Sequence, residues 1–189
     1  MRLLLGAYTG LAPENLIFAV NEFGKPELMN PESLQPEGRV RFNLSHTEGL
    51  TLLGVCLSAD LGVDVETVRP ISDLELIAQS NFSEREIAAL RAFGSSGKLR
   101  AFLRCWTRKE AFLKAHGKGL SIPLDSFAVS LSAEDASGLL ECRWDAGEIT
   151  RWSLFSLDLG NEFIGALAIQ RGEWRVYMFE WEERNKTRQ

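Results

Sequence analysis

A chain of 189 residues with 45% hydrophobic content can bury a core, as one large domain or two small ones. Its formal net charge of -5 argues against nucleic acid as the main partner. No apolar run is long enough to span a bilayer, and Met1-Arg2-Leu3-Leu4-Leu5-Gly6 is too short an apolar stretch for a signal peptide, so a cytoplasmic protein without a membrane partner is expected.

Residues 2–5 have helical apolar content but no upstream cap. Residues 40–44 and 50–58 read as strands joined through 45–49. Next comes Gly62-Val63-Asp64-Val65-Glu66, where the strand period of two puts Asp64 and Glu66 on one face and Leu61, Val63 and Val65 on the other. Ser72 with Glu75, and Ser83 with Glu86, have capping-box spacing and predict short helices starting near Asp73 and Glu84. Gly94-Ser95-Ser96-Gly97 reads as a loop, and a long helix follows over 98–116, stopped by Gly117. Beyond it, 127–131, 139–144, 152–157, 163–169 and 175–181 read as strands, and 182–189 as a charged, frayed tail.

Like charges side by side at Asp64 and Glu66 repel unless a cation sits between them, and hard oxygen donors without nearby His or Cys suit Mg²⁺ better than Zn²⁺. The long helix supplies a third carboxylate. Its apolar stripe is Leu99, Phe102, Leu103, Trp106 and Leu113, and Glu110 falls within that stripe, flanked by Lys109 and Lys114. Each acid alone has a plainer reading, as a solvated strand edge or a helix ion pair. Arg100, Arg104 and Arg108, four apart, form either the solvated face of the helix or a surface for an acidic partner. Cys56, Cys105 and Cys142 are odd in number and lie among apolar residues, which reads as reduced core thiols.

The ordered blocks Phe23-Gly24-Lys25-Pro26, Phe42-Asn43-Leu44-Ser45-His46, Gly62-Val63-Asp64-Val65-Glu66, Phe82-Ser83, Trp106-Thr107-Arg108-Lys109-Glu110-Ala111-Phe112-Leu113-Lys114 and Gly117-Lys118-Gly119-Leu120 resemble the 4'-phosphopantetheinyl transferases, Sfp-like branch. Order and spacing match from about residue 3 to residue 129. The resemblance implies an α+β fold of two similar halves related by a pseudo-twofold axis. Each half is a helix on a small antiparallel sheet, with the active site in the cleft between them. The halves would be 1–61 and 62–189, with 50–57 and 163–169 as corresponding inner strands. Relatives carry a preceding stretch with basic residues that help hold the nucleotide, so the first half is expected to be short at its start. Ser80-Asn81 also departs from the family, where a basic and an aromatic residue are usual.

The activity implied is transfer of phosphopantetheine from coenzyme A to a serine of an apo acyl or peptidyl carrier protein, the holo-acyl-carrier-protein synthase reaction, by a monomer. The resemblance assigns Mg²⁺ to Asp64, Glu66 and Glu110, with Glu110 also the base for the serine proton. It puts Lys114 at the pyrophosphate and Lys109 at a coenzyme A phosphate, Ser45 and His46 at the 3'-phosphate end of the nucleotide, and Lys25 near the adenine. Two rival readings are a non-catalytic protein that binds coenzyme A or a carrier protein, and a generic Mg²⁺-dependent phosphohydrolase; the second accounts for the carboxylates but not for the ordered blocks.

Overall fold

The computed structural model describes residues 1–30, 34–35, 38–132 and 138–181. In chain order, α1 (Arg2–Thr9) is followed by the hairpin β1 (Phe18–Val20) and β2 (Pro26–Leu28), then by β3 (Leu34–Gln35), β4 (Gly38–Thr47) and β5 (Leu50–Leu57). After β6 (Leu61–Thr67) come α2 (Leu74–Asn81), α3 (Glu84–Ala92) and α4 (Ser95–His116). The chain continues through β7 (Phe127–Val129), β8 (Leu139–Cys142), α5 (Glu148–Arg151), β9 (Trp152–Leu157) and β10 (Phe163–Gln170). All strand pairs are antiparallel, so the α+β expectation holds.

Two three-stranded sheets organise the site, β3-β4-β5 and β6-β10-β9. Leu5 of α1 packs with Val40 and Phe42 of β4, and α4 lies across β6, β10 and β9. In the second sheet 163–170 is the inner strand as expected, but in the first the inner strand is β4 and not 50–57.

Gly62 sets the approach of α4. A methyl group there would run into the Ala111 carbonyl oxygen and the Ala115 nitrogen, so only glycine lets the helix backbone seat on β6. Those helix turns carry Glu110 and Lys114, and the seat brings them over Asp64. Gly62→Ala should therefore cost about 3 kcal/mol or more, because backbone atoms on a packed helix cannot yield. A urea melt measures it; a cost below about 1 kcal/mol would mean that α4 has slack.

Several local expectations are corrected. The helix begins at Ser95, not Lys98, because the Gly94 carbonyl already accepts from Gly97 and Lys98, making Gly94 the cap and no loop residue. Gly117 stops it in the left-handed conformation at φ 76, as expected. Ser83 and Glu86 form a true capping box, whereas α2 has no side-chain cap and Glu75 accepts from Lys98 Nζ. Ser80 and Asn81 bond back to the Leu76 and Ile77 carbonyls and close the end of α2. Residues 175–181 form no strand, for they have no ladder partner among the described residues, and Tyr177 and Phe179 are 69% and 83% exposed. The tail 182–189 lies outside the described residues.

Helix α4 is covered on more than one side. Beyond the predicted stripe, Ala101, Cys105, Thr107, Arg108, Lys109 and Phe112 are also buried, since α3 and β7 pack against it as well as the sheet. The arginine row is not one uniform solvated face, for Arg100 and Arg104 are half-buried. Arg108 is buried, and Arg100, Arg104 and Arg108 donate to the carbonyls of Asn161, Leu131 and Ser130 respectively. The three cysteines are free thiols, two of them buried.

Candidate active site

Three segments distant in sequence line one cleft of about 240 Å³. The 23–26 turn supplies Phe23, Gly24, Lys25 and Pro26; β4 supplies Asn43 and Leu44; α4 supplies Glu110, Leu113 and Lys114. Strand β6 meets the cleft-lining Lys114 through Asp64. The Lys114 ammonium lies 2.6 Å from Asp64 Oδ1 and donates to Ser45 Oγ at 3.1 Å, and Ser45 Oγ donates to the same Asp64 oxygen at 2.9 Å. The other oxygen, Asp64 Oδ2, is buried and has no hydrogen-bond partner among the described residues.

The strand alternation behaves as predicted. Leu61, Val63 and Val65 are buried in the sheet packing, while Asp64 and Glu66 face α4. Asp64 is 5% exposed. Its carboxyl is pushed up from the ordinary value by burial, which outweighs the pull of Lys114 and Ser45. Burial also raises Glu66 and then Glu110, and in both the next cause is the charge of Asp64; Glu66 adds a smaller push on Glu110. The three carboxylates thus share one electrostatic environment. They do not close into a ligand cage: among the described residues no group of three His, Cys, Asp or Glu side chains stands close enough to hold a metal by itself.

A raised carboxyl binds more protons in the folded than in the unfolded state between its ordinary and raised values, so stability falls as pH rises through that window. Without divalent ions, Glu110→Gln should therefore melt higher than the parent at neutral pH, and the difference should vanish as pH falls into the ordinary carboxylate range. Melts in chelator across that range check it; a Gln variant that melts lower at neutral pH would show that Glu110 is held by favourable partners.

Four further residues singled out from the sequence are Lys109, Ser45, His46 and Lys25. Lys109 is fully buried, with Nζ 2.8 Å from Glu86 Oε2 and donating at 2.7 Å to the Leu124 and Phe127 carbonyls, beneath the Phe127 ring. Its donors are engaged in the core, which corrects its assignment to a coenzyme A phosphate. Ser45 and His46 do not form a pair, because neighbouring strand residues face opposite ways: Ser45 is buried at Asp64 and His46 is exposed. Lys25 lines the cleft, but its ammonium donates to the Leu61 and Ala115 carbonyls at 3.1 and 3.0 Å, and burial lowers its pKa. With Asn21 Nδ2 donating to the Gly117 carbonyl at 2.8 Å, Lys25 caps the end of α4 and binds it to the 21–25 turn.

Asn43 and Thr47, which bond to β6, and Gly62, which seats α4, also shape the site. The period-two row of polar residues Asn43, Ser45 and Thr47 was the available signal for the first two.

Residues 60–168 match the family model described as the 4'-phosphopantetheinyl transferase superfamily, a span that holds Asp64, Glu66, Glu110 and Lys114. The chain belongs to this superfamily. It is 33% identical over 175 residues to the 4'-phosphopantetheinyl transferase HetI of Nostoc sp., covering 93% of this chain and 69% of that protein. It is 38% identical over 122 residues to the 4'-phosphopantetheinyl transferase Sfp of Bacillus subtilis, covering 64% of this chain and 50% of Sfp. A third relative, the 4'-phosphopantetheinyl transferase AcpT of Escherichia coli O157:H7, is 35% identical over 96 residues, covering 51% and 46%. The chain thus spans about half to two thirds of the curated relatives it matches. No helix among the described residues is long and apolar enough to cross a membrane.

Proposed function

We propose that this chain transfers 4'-phosphopantetheine from coenzyme A to a serine of an apo acyl or peptidyl carrier protein in the cytoplasm. The observation that carries the reading is the 2.6 Å contact of Asp64 with Lys114, which with Glu110 lines a cleft built from three separate sequence blocks, in a chain whose matched relatives are named for that activity. In the balanced step, the serine oxygen forms a bond to the phosphorus that bears pantetheine. The pyrophosphate P–O bond breaks, and adenosine 3',5'-bisphosphate leaves. The serine proton passes to Glu110, whose raised carboxyl is suited to accept it.

The donor set fits Mg²⁺ held with much of its own water. Asp64 Oδ2 is a buried oxygen with an open acceptor position, the nearby donors are hard carboxylates, and no closed cage exists among the described residues. An ion that keeps several waters and takes one or two carboxylates matches that pattern. Asp64, Glu66 and Glu110 would hold it; when bound it neutralises pyrophosphate charge and relieves the mutual repulsion of the three carboxylates. Lys114, now on Asp64, would meet the pyrophosphate. Ser45 orients Asp64, and His46, on the opposite face of β4, is left for the 3'-phosphate end. The halves are taken as 1–61 and 62–189. The working unit is taken as a monomer.

Incubation with coenzyme A, Mg²⁺ and a panel of apo carrier proteins, followed by intact-mass analysis, tests the reading. At least one carrier should gain the phosphopantetheine mass. No gain on any carrier by folded protein would contradict it.

A further inference from the structure

Strand β6 is the edge of its sheet, and its outer side faces β4 without a backbone ladder between them. Edge N–H and C=O groups buried against another layer need partners. Here side chains provide them. Asn43 Oδ1 accepts the Val63 N–H at 2.9 Å, Thr47 Oγ1 accepts the Thr67 N–H at 3.3 Å, and Lys25 holds the Leu61 carbonyl. Thr47 and Thr67 also join hydroxyl to hydroxyl at 2.9 Å, and Thr67 Oγ1 donates to the Glu48 carbonyl. Asn43, Ser45 and Thr47 alternate on one face of β4, so the three meet β6 in register.

The two backbone bonds bracket the site. Val63 immediately precedes Asp64, and Thr67 immediately follows Glu66. Between them Ser45 touches Asp64 itself. We infer that Asn43 and Thr47 are positioning residues: they pin the two ends of the Asp64-Val65-Glu66 segment to β4 and so fix both carboxylates relative to that strand. The inference rests on the reading of Asp64 as a site carboxylate. Neither pin is needed for either sheet to form, since each sheet keeps its own ladders. Loosening the seam should therefore move the carboxylates without unfolding the chain, and displacements near 1 Å cost about 10²-fold in rate.

The test uses Thr47→Val, which keeps the shape and removes the oxygen, Thr47→Ser, which restores it, and Asn43→Leu. Amide hydrogen exchange is followed at Val63 and Thr67 with α4 as internal control, alongside kcat and KM for coenzyme A. Thr47→Val should raise exchange at Thr67 about 10-fold or more while α4 stays protected. It should lower kcat about 10-fold or more with KM within about twofold, and Thr47→Ser should return both to parental values. Asn43→Leu should do the same to exchange at Val63; if it fails to fold, the Thr47 pair carries the test alone. Unchanged exchange at Thr67, a rise in exchange spread equally over α4, or a kcat loss that serine does not rescue would overturn the inference. If the parent protein transfers nothing to any carrier, the function reading fails, while the exchange rates still decide whether the pins hold.

Discussion

Asp64→Asn should lower phosphopantetheine transfer by about 10³-fold or more and leave the chain folded. The amide keeps the size of the carboxylate and can still accept from Ser45 and Lys114, which hold Asp64 Oδ1 at 2.9 and 2.6 Å. What it removes is the charge that a divalent ion needs, and with it the stabilisation of charge on the pyrophosphate in the transition state. Burial already opposes that charge in the absence of an ion, so the variant should melt no lower than the parent in chelator. Transfer rates by intact mass and melts with and without Mg²⁺ separate the two effects. Activity within about tenfold of the parent would remove Asp64 from the chemistry.

Lys109→Met should destabilise the protein by about 3–5 kcal/mol, because it strands the Glu86 carboxylate in the core. Glu86 is fully buried; its Oε2 faces Lys109 Nζ at 2.8 Å and accepts from the Ser83 N–H, and its Oε1 accepts from the Val129 N–H. Those bonds tie α3 and β7 to the middle of α4, so the loss falls on the second sheet's whole supporting layer. Adding Glu86→Gln should recover much of the stability by removing the unpaired charge, a coupling that a double-mutant cycle in urea measures. Normal stability with weakened coenzyme A binding in Lys109→Met would instead return this lysine to the cleft.

Lys109 and the arginine row also show where the sequence stopped informing. A single apolar stripe was readable along α4, and it placed Glu110 and the Gly117 stop well. That a second layer, α3 and β7, covers another side of the helix depends on contacts between elements far apart in the chain, and no helical period records those. The Asp64 and Glu66 alternation was readable because backbone pleating fixes the period of two, even though both faces of β6 prove to be covered. Lys25 was readable as a cleft residue but not as a cap on α4, since the carbonyls it holds, Leu61 and Ala115, lie 36 and 90 residues away. Residues 175–181 have strand composition but find no partner edge among the described residues, and composition alone does not make a ladder.

The central claim is that the carboxylates of β6 and α4 act as one site through a divalent ion to transfer phosphopantetheine. The most direct measurement is the rate of mass gain on a responsive apo carrier protein as free Mg²⁺ is titrated from excess chelator upward, for the parent and for Glu110→Gln. The account predicts no transfer in chelator, a saturable rise with Mg²⁺ in the parent, and a rise in Glu110→Gln that is shifted to higher Mg²⁺ and lower in plateau. Transfer that proceeds equally well in excess chelator would contradict it.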